Sequence, residues 1–217
     1  MIISIDNEIK EKTEEFYIGV MSCNVEIFED ENISNLVSKY EKDINENISI
    51  GDVINLKKIK DARDAYKAFG KDPSRYRLAT ESLYRRLSKG NKLYRINNVV
   101  DIGNILSLEF RKSVAVLDYN NIIGNINIRL GKSSDEYYGI GRGKLNIENI
   151  PLYEDDIGPF GSTTSDTERT MITKDTSKIL LFIVSFSGRE GLNTELTLAQ
   201  DFYKKYAKGS NFEQYII

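Results

Sequence analysis

Two stretches of this 217-residue chain carry polar side chains at spacings that could do chemistry. One is Asn97-Asn98-Val99-Val100-Asp101-Ile102-Gly103-Asn104, where a carboxylate stands between carboxamides. The other is the loop Gly158-Pro159-Phe160-Gly161-Ser162-Thr163-Thr164-Ser165-Asp166-Thr167. Its glycines let backbone approach a ligand closely, and its hydroxyls can orient a water or hydrogen-bond an amino group. Each stretch also has a purely structural reading. Asn98 and Asn104 would cap a helix or tie down a loop, Asp101 would be a surface carboxylate or pair with Arg129, and Ser162, Thr163, Thr164 and Thr167 would be a polar turn.

What the chain lacks narrows the chemistry. It contains no histidine, which removes the commonest general base and the commonest metal ligand near neutral pH. Ser-His-Asp and Cys-His mechanisms are excluded. The single cysteine, Cys23, rules out an internal disulfide framework and a multi-cysteine metal site, and reads as a small apolar residue in a strand. Gly139-Ile140-Gly141-Arg142-Gly143 superficially suggests a phosphate-binding loop, but no helix follows it and the spacing is wrong, so it is expected to be a hairpin turn. No metal and no cofactor is expected.

Charge is unevenly spread. Residues 1–50 carry 12 acidic side chains against 4 basic ones, whereas Lys71 to Arg95 carries 8 basic against 2 acidic. The basic members include Arg75, Arg77, Arg85, Arg86 and Lys89, interleaved with Tyr76, Tyr84 and Tyr94, a mixture that suits phosphate contacts and base stacking or else forms an ordinary wet helix face. Arg142 and Arg169 are further candidate phosphate contacts. No apolar stretch approaches the roughly 20 residues that span a bilayer, and no leader sequence is evident, so a cytoplasmic protein is expected.

The elements that must position these residues follow from periodicity. Tyr17 to Phe28 alternates as a half-buried strand, and Ile33, Leu36, Val37, Tyr40 and Ile44 recur at helical spacing. Leu56, Ile59, Ala62, Tyr66 and Phe69 mark a helix stopping at Gly70, and Asp72-Pro73 is expected to start another through Tyr76, Ala79, Leu83 and Leu87 to Gly90, the two forming a hairpin. A helix capped by Asn97 or Asn98 covers Val99 to Leu108. Val114 to Leu117 is a short apolar run, and Ile126, Ile128 and Leu130 form a strand with one wet face. Ile179 to Val184 has no alternation and is expected to be buried on both faces. A last helix through Leu192, Leu196, Ala199, Tyr203 and Tyr206 would be capped by Asn193. The order implies an α+β or mixed α/β fold, one domain over residues 1–217, with helices packed over a central sheet.

Three groups of residues together resemble one family. Asn98-Val99-Val100-Asp101-Ile102-Gly103-Asn104 is similar to the stretch that opens the B3/B4-type editing domain of the bacterial phenylalanyl-tRNA synthetase beta subunit. Leu117-Asp118, Ile123-Gly124 and Ile128-Arg129 resemble its strand, turn and strand. Gly158 to Gly161, Ser165, Thr170 or Thr173, Thr176 and the run from Ile179 resemble its Gly-rich loop, its Thr-bearing segment and the strand after it. The resemblance covers roughly residues 75–187, and the chain is similar to free-standing proteins carrying this domain alone.

What the resemblance implies is a pocket for an aminoacyl group on the tRNA 3′ end, and hydrolysis of a wrongly attached amino acid such as tyrosine. Such chemistry needs neither a metal nor a covalent nucleophile, because positioned polar groups can orient a water and stabilise an oxyanion. Two departures bear on ligand and catalysis. The family's histidine before the strand aspartate is replaced here by the region of Ser113, Val114 and Ala115, and its glutamate after the Gly-rich loop by Ser162 and Thr163. The implied ligand site is Asn98, Asp101, Asn104, Arg129, Gly161, Ser162, Thr163, Thr164 and Thr167, with Arg75, Arg77, Arg85, Arg86 and Lys89 gripping tRNA. Two functions are compatible with it: a trans-acting aminoacyl-tRNA deacylase, or a non-catalytic module binding tRNA or an amino-acid-like small molecule.

Overall fold

The computed structural model describes residues 1–217. In chain order its elements are β1 (Ile3–Ile5), α1 (Asn7–Lys12), β2 (Tyr17–Asn24), α2 (Glu31–Asn47), α3 (Lys57–Ala68), α4 (Ala79–Leu87), α5 (Asn98–Phe110), β3 (Ser113–Asp118), β4 (Ile126–Leu130), β5 (Tyr138–Gly139), β6 (Gly143–Lys144), β7 (Pro151–Glu154), β8 (Pro159–Ser162), β9 (Lys178–Ser185), α6 (Leu192–Ala207) and β10 (Ser210–Ile216). The class is α+β with mixed sheets.

The central sheet has the order β10-β2-β9-β3, antiparallel throughout. Its two inner strands are covered on both sides. Met21, Cys23, Ile179, Leu181 and Ile183 face a core built with α2, α4, α5 and α6. Ile18, Val20, Leu180, Phe182 and Val184 face a second core, built with α3 and a second sheet of order β1-β4-β7-β8. This is why β9 is buried from Ile179 to Ser185, as its lack of alternation implies. It is also why β2, expected to be half-buried, has its six inner residues buried. Gly19, small enough to look like part of a wet face, lies beneath α6 instead, where a Cβ would stand 3.3 Å from Leu196 Cγ. In β4 the period of two is real: Ile126, Ile128 and Leu130 are buried, with partly exposed residues between them.

Helix ends follow local chemistry. Asp30 caps α2 by accepting from Asn32 N–H at 2.7 Å, and Asn97 caps α5 by accepting from Val100 N–H at 2.9 Å. Gly103 lets α5 lie directly on β3, because a Cβ there would stand 2.4 Å from Val116 Cγ2. Two expected starts move. Asp72-Pro73 opens a turn rather than a helix: Asp72 Oδ1 accepts from Ser74 N–H at 2.8 Å, and α4 begins only at Ala79, whose N–H is taken by the carbonyl of Thr163 at 2.9 Å. The helix α6 is preceded by Gly191 in the left-handed region, φ 84°, and Asn193 lies inside it. Nor do α3 and α4 make a packed hairpin. The helix α4 packs on α2 and α5, tied to α3 by Arg63, whose Nη1 donates to Glu81 at 2.9 Å. The strand β10 brings the C-terminal Tyr215 and Ile216 back onto β2. No helix is long and apolar enough to cross a membrane.

Candidate functional site

The nine residues of the implied ligand site do not meet in one place. Asn98, Asp101 and Asn104 lie on α5, on the helical side of the central sheet. Gly161 to Thr167 belong to β8 and the loop after it, beyond the sheet's other face. The loop touches the central sheet at Ser113, whose Oγ donates to the Thr163 carbonyl at 3.2 Å. Ser113 is next to the C-terminal half of α5, since Val114 N–H bonds to Ser107 Oγ, and Ser107 is six residues or roughly 9 Å along the helix from Asp101. A Val-Asp run and a Gly-rich loop are local patterns, and neither encodes which of two cores its element joins.

At the start of α5 every polar group has a structural partner. Asn98, 2% exposed, donates to the carbonyls of Glu26 and Tyr206 at 2.9 Å each and accepts from Phe28 N–H at 3.2 Å. Asp101 accepts from Arg95 Nε at 2.7 Å and from Ile96 N–H at 3.4 Å. Arg129 is not its partner. That guanidinium, on β4, holds Glu154 at 2.6 and 2.7 Å and Asp135 at 2.7 and 3.0 Å. Both carboxylates raise its pKa further, and its hydrogen bonds help hold the Asp135 carboxyl below the usual range. A cleft of about 680 Å³ opens between α2 and α5 beside Asn98 and Asp101, but it leaves neither side chain unsatisfied. Asn104 is half-buried on the same helix.

The loop is different. Thr163 is fully buried, and its Oγ1 lies 2.5 Å from the phenol oxygen of Tyr66 on α3, with Thr164 Oγ1 at 3.1 Å from the same oxygen. Burial pushes the Tyr66 phenol up to about 12. Ser162 Oγ donates to the Ser165 carbonyl at 2.7 Å, and the same carbonyl accepts from Tyr137 at 2.5 Å. Thr167 closes the turn, its N–H and Oγ1 both bonding to the Phe160 carbonyl, at 3.0 and 2.9 Å.

Inside this ring of hydroxyls lies Asp166. Its carboxyl turns inward, accepting only from Ser162 N–H at 3.4 Å, and burial pushes it up from the ordinary 3.8 to about 7 against the opposing effect of that N–H. Gly161 makes the placement possible: a Cβ there would lie 2.9 Å from Asp166 Oδ1 and 2.6 Å from Tyr153 Cδ2. Tyr153 on β7 is fully buried, its phenol oxygen has no hydrogen-bond partner, and its pKa is raised well above the usual value by burial and by the Asp166 charge. A buried hydroxyl without a partner is rare and costly, and this one is sealed in the core with its ring against Phe160 and Phe182. A carboxyl raised toward neutrality can accept a proton from water.

Sequence reasoning quoted Asp166 within the loop but gave it no role, and missed Tyr66, Tyr137 and Tyr153. Tyr66 was legible as a core position at helical spacing. The available signal was that a buried tyrosine keeps a polar tip that normally seeks a partner.

The basic cluster divides in the same way. Arg85 donates to Glu81, which is fully buried and also held by Arg63. Arg86 donates to the Lys92 carbonyl and lies 3.8 Å over the Tyr94 ring. Lys71 is buried, with its Nζ on Asn146 and over the Tyr76 ring. Arg75, Arg77 and Lys89 are exposed and form no ion pair. Arg75 and Arg77 lie just before Ala79, the residue bonded to Thr163, so two uncommitted cations border the hydroxyl loop.

The B3/4 domain family model matches residues 61–216. The chain belongs to the B3/4 domain family. Among solved structures the chain is similar to an N-terminal fragment of the phenylalanyl-tRNA synthetase beta-subunit from Pyrococcus horikoshii, 10% identical, with a TM-score of 0.49. The match covers 99% of this chain and 53% of that one, so this B3/4 domain spans about half the length of the fragment. Among curated proteins none matches.

Proposed function

We propose that this B3/4 domain binds the 3′ end of tRNA and hydrolyses the ester of a wrongly attached aminoacyl group at the loop Gly161 to Thr167. The observation that carries the reading is the Asp166 carboxyl, pushed up to about 7 by burial and packed over Gly161 within the hydroxyl loop. Asp166 takes a proton from a water, and the resulting hydroxide attacks the ester carbonyl to give a tetrahedral intermediate. Collapse of the tetrahedral intermediate breaks the ester bond, and the proton on Asp166 passes to the departing ribose hydroxyl. Ser162, Thr163 and Thr164 hold the loop and Tyr66 in position, while Arg75 and Arg77 take phosphates leading to the ester. Of the other implied site residues, Asn98, Asp101 and Arg129 are engaged in structural contacts and are assigned none of this chemistry.

The test is a deacylation screen across correctly charged and mischarged tRNAs with the wild type and Asp166→Asn. The expected result is hydrolysis of at least one mischarged tRNA by the wild type and its loss in the variant. If the wild type binds tRNA but releases no amino acid from any member of the panel, the domain is the non-catalytic module.

A further inference from the structure

The fully buried carboxylate of Glu81 holds two guanidiniums where one would satisfy it. Arg63 Nη1 alone donates to both of its oxygens, at 3.0 and 2.9 Å, and also to the Pro73 carbonyl at 3.1 Å. Arg85 Nε adds a bond to Glu81 Oε1 at 2.9 Å. Because both arginines bond the same oxygen, their guanidiniums stand side by side, and one carboxylate leaves part of their charge uncancelled. Nε and Nη2 of Arg63 and both Nη atoms of Arg85 have no partner within the chain, and none of them is sealed from solvent. The neighbouring carboxylates are otherwise engaged: Asp64 with Lys67 at 2.7 Å, and Asp72 with Ser74 N–H at 2.8 Å. Two cations so placed repel, and an anion that accepts from both at once relieves the repulsion.

We propose that Arg63 and Arg85, set side by side by Glu81, form a phosphate site. Each presents a planar fork of donors, and a phosphate has oxygens enough to accept from both. The place of the pair relates it to the hydroxyl loop from two directions. Arg63 lies one helical turn before Tyr66, whose phenol bonds Thr163 and Thr164, and Glu81 follows Ala79, whose N–H bonds the Thr163 carbonyl. The bond from Arg63 to Pro73 fixes the turn that leads to the exposed Arg75 and Arg77. In the function proposed above, on which this source of the phosphate rests, the group bound is a backbone phosphate of the RNA strand that carries the ester. Glu81 is then a positioning residue, touching no ligand itself.

The experiment measures binding of uncharged tRNA to the full chain at several salt concentrations, and melting temperature in inorganic phosphate against acetate at matched ionic strength. Arg85→Gln should weaken tRNA binding about tenfold and make the salt slope shallower by about one phosphate contact. Arg86→Gln, an equal loss of charge one position along, should change both less. Arg85→Lys keeps Glu81 paired and should melt near the wild type; it should keep the salt slope but not the affinity, because the fork is lost. Phosphate should raise the melting temperature of the wild type more than that of Arg85→Gln. Wild-type affinity and slope in both Arg85 variants would overturn the site and leave the proposed function standing, and full affinity in Arg85→Lys alone would overturn the fork. Phosphate stabilisation that is lost in Arg85→Gln, with no tRNA bound by the wild type, would keep the site as one for free phosphate and remove the proposed function. Absence of both responses removes both.

Discussion

The start of α5 and the loop after β8 contain the same kinds of side chain, and they spend them differently. Asn98 uses its whole carboxamide to tie α5 to the backbone of Phe28, Glu26 and Tyr206, and Asp101 is held by Arg95. In the loop, Asp166 has one long hydrogen bond and its neighbour Tyr153 has none. A satisfied polar group contributes to stability, whereas an under-satisfied one costs stability and is free to act on something else. The residue types therefore say where polar chemistry is concentrated, and the partner count says whether it is structural.

Substitutions at the two places should separate these roles. Asp166→Asn removes the proton acceptor and is expected to lower the deacylation kcat/KM by about 10²–10⁴-fold. In the wild type kcat/KM should rise with pH and level off above about 7, where the carboxyl is ionised. The same carboxyl has the opposite effect on stability. Its folded-state value lies above its unfolded one, so the folded chain retains a proton the unfolded chain has lost, and stability falls as pH rises from about 4 to about 7. Melting curves should accordingly find Asp166→Asn more stable than the wild type at pH 8 and not at pH 4. A variant that loses activity and melts lower at both pH values would make Asp166 a structural residue like Asn98.

Asn98→Ala should do the reverse. It strips partners from three backbone groups, costing on the order of 2–3 kcal/mol by chemical denaturation, with kcat/KM per folded molecule unchanged. A fall in kcat/KM without loss of stability would return the cleft beside α5 to the site. Thr163→Val is intermediate. Because Thr163 is fully buried against Tyr66, the change should cost about 1 kcal/mol as well as reduce activity. An unchanged melting temperature would mean that Thr164 alone satisfies Tyr66.

The smallest effect concerns the cations. Reversing Arg75 and Arg77 to Glu should weaken tRNA binding and make the salt slope shallower by roughly two phosphate contacts, as read from affinity at several salt concentrations. Reversing Arg86, already engaged with Lys92 and Tyr94, should change the slope by less. Equal slopes for both variants would restore the whole Lys71 to Arg95 run as the footprint.

Much of this was legible in the sequence for a physical reason. Helices α2, α3 and α5 bury one stripe or nearly all of their surface and show it as spacing, and β9, covered on both sides, shows it as an unbroken apolar run. The second sheet was not legible beyond β4. Its strands β1, β7 and β8 are three or four residues long, too short for a period to register. The start of α4 was misplaced because the decisive partner of Ala79 is Thr163, more than eighty residues away. The site was half legible. Loop composition pointed to Gly161 through Thr167, but the phenols that enclose it arrive from α3, β7 and the segment before β5, and no local pattern ties them together.

The pairing of the central sheet also sets the order in which this chain can become compact. The strand β2 finds its partner β9 only after some 150 intervening residues, and β1 pairs with β4 more than 120 residues on. Until those segments exist, Ile18, Val20, Met21 and Cys23 have no neighbouring strand to cover them. Contacts so distant in sequence make folding slow, and during synthesis they leave the amino-terminal strands with unpaired, apolar edges that other chains can capture.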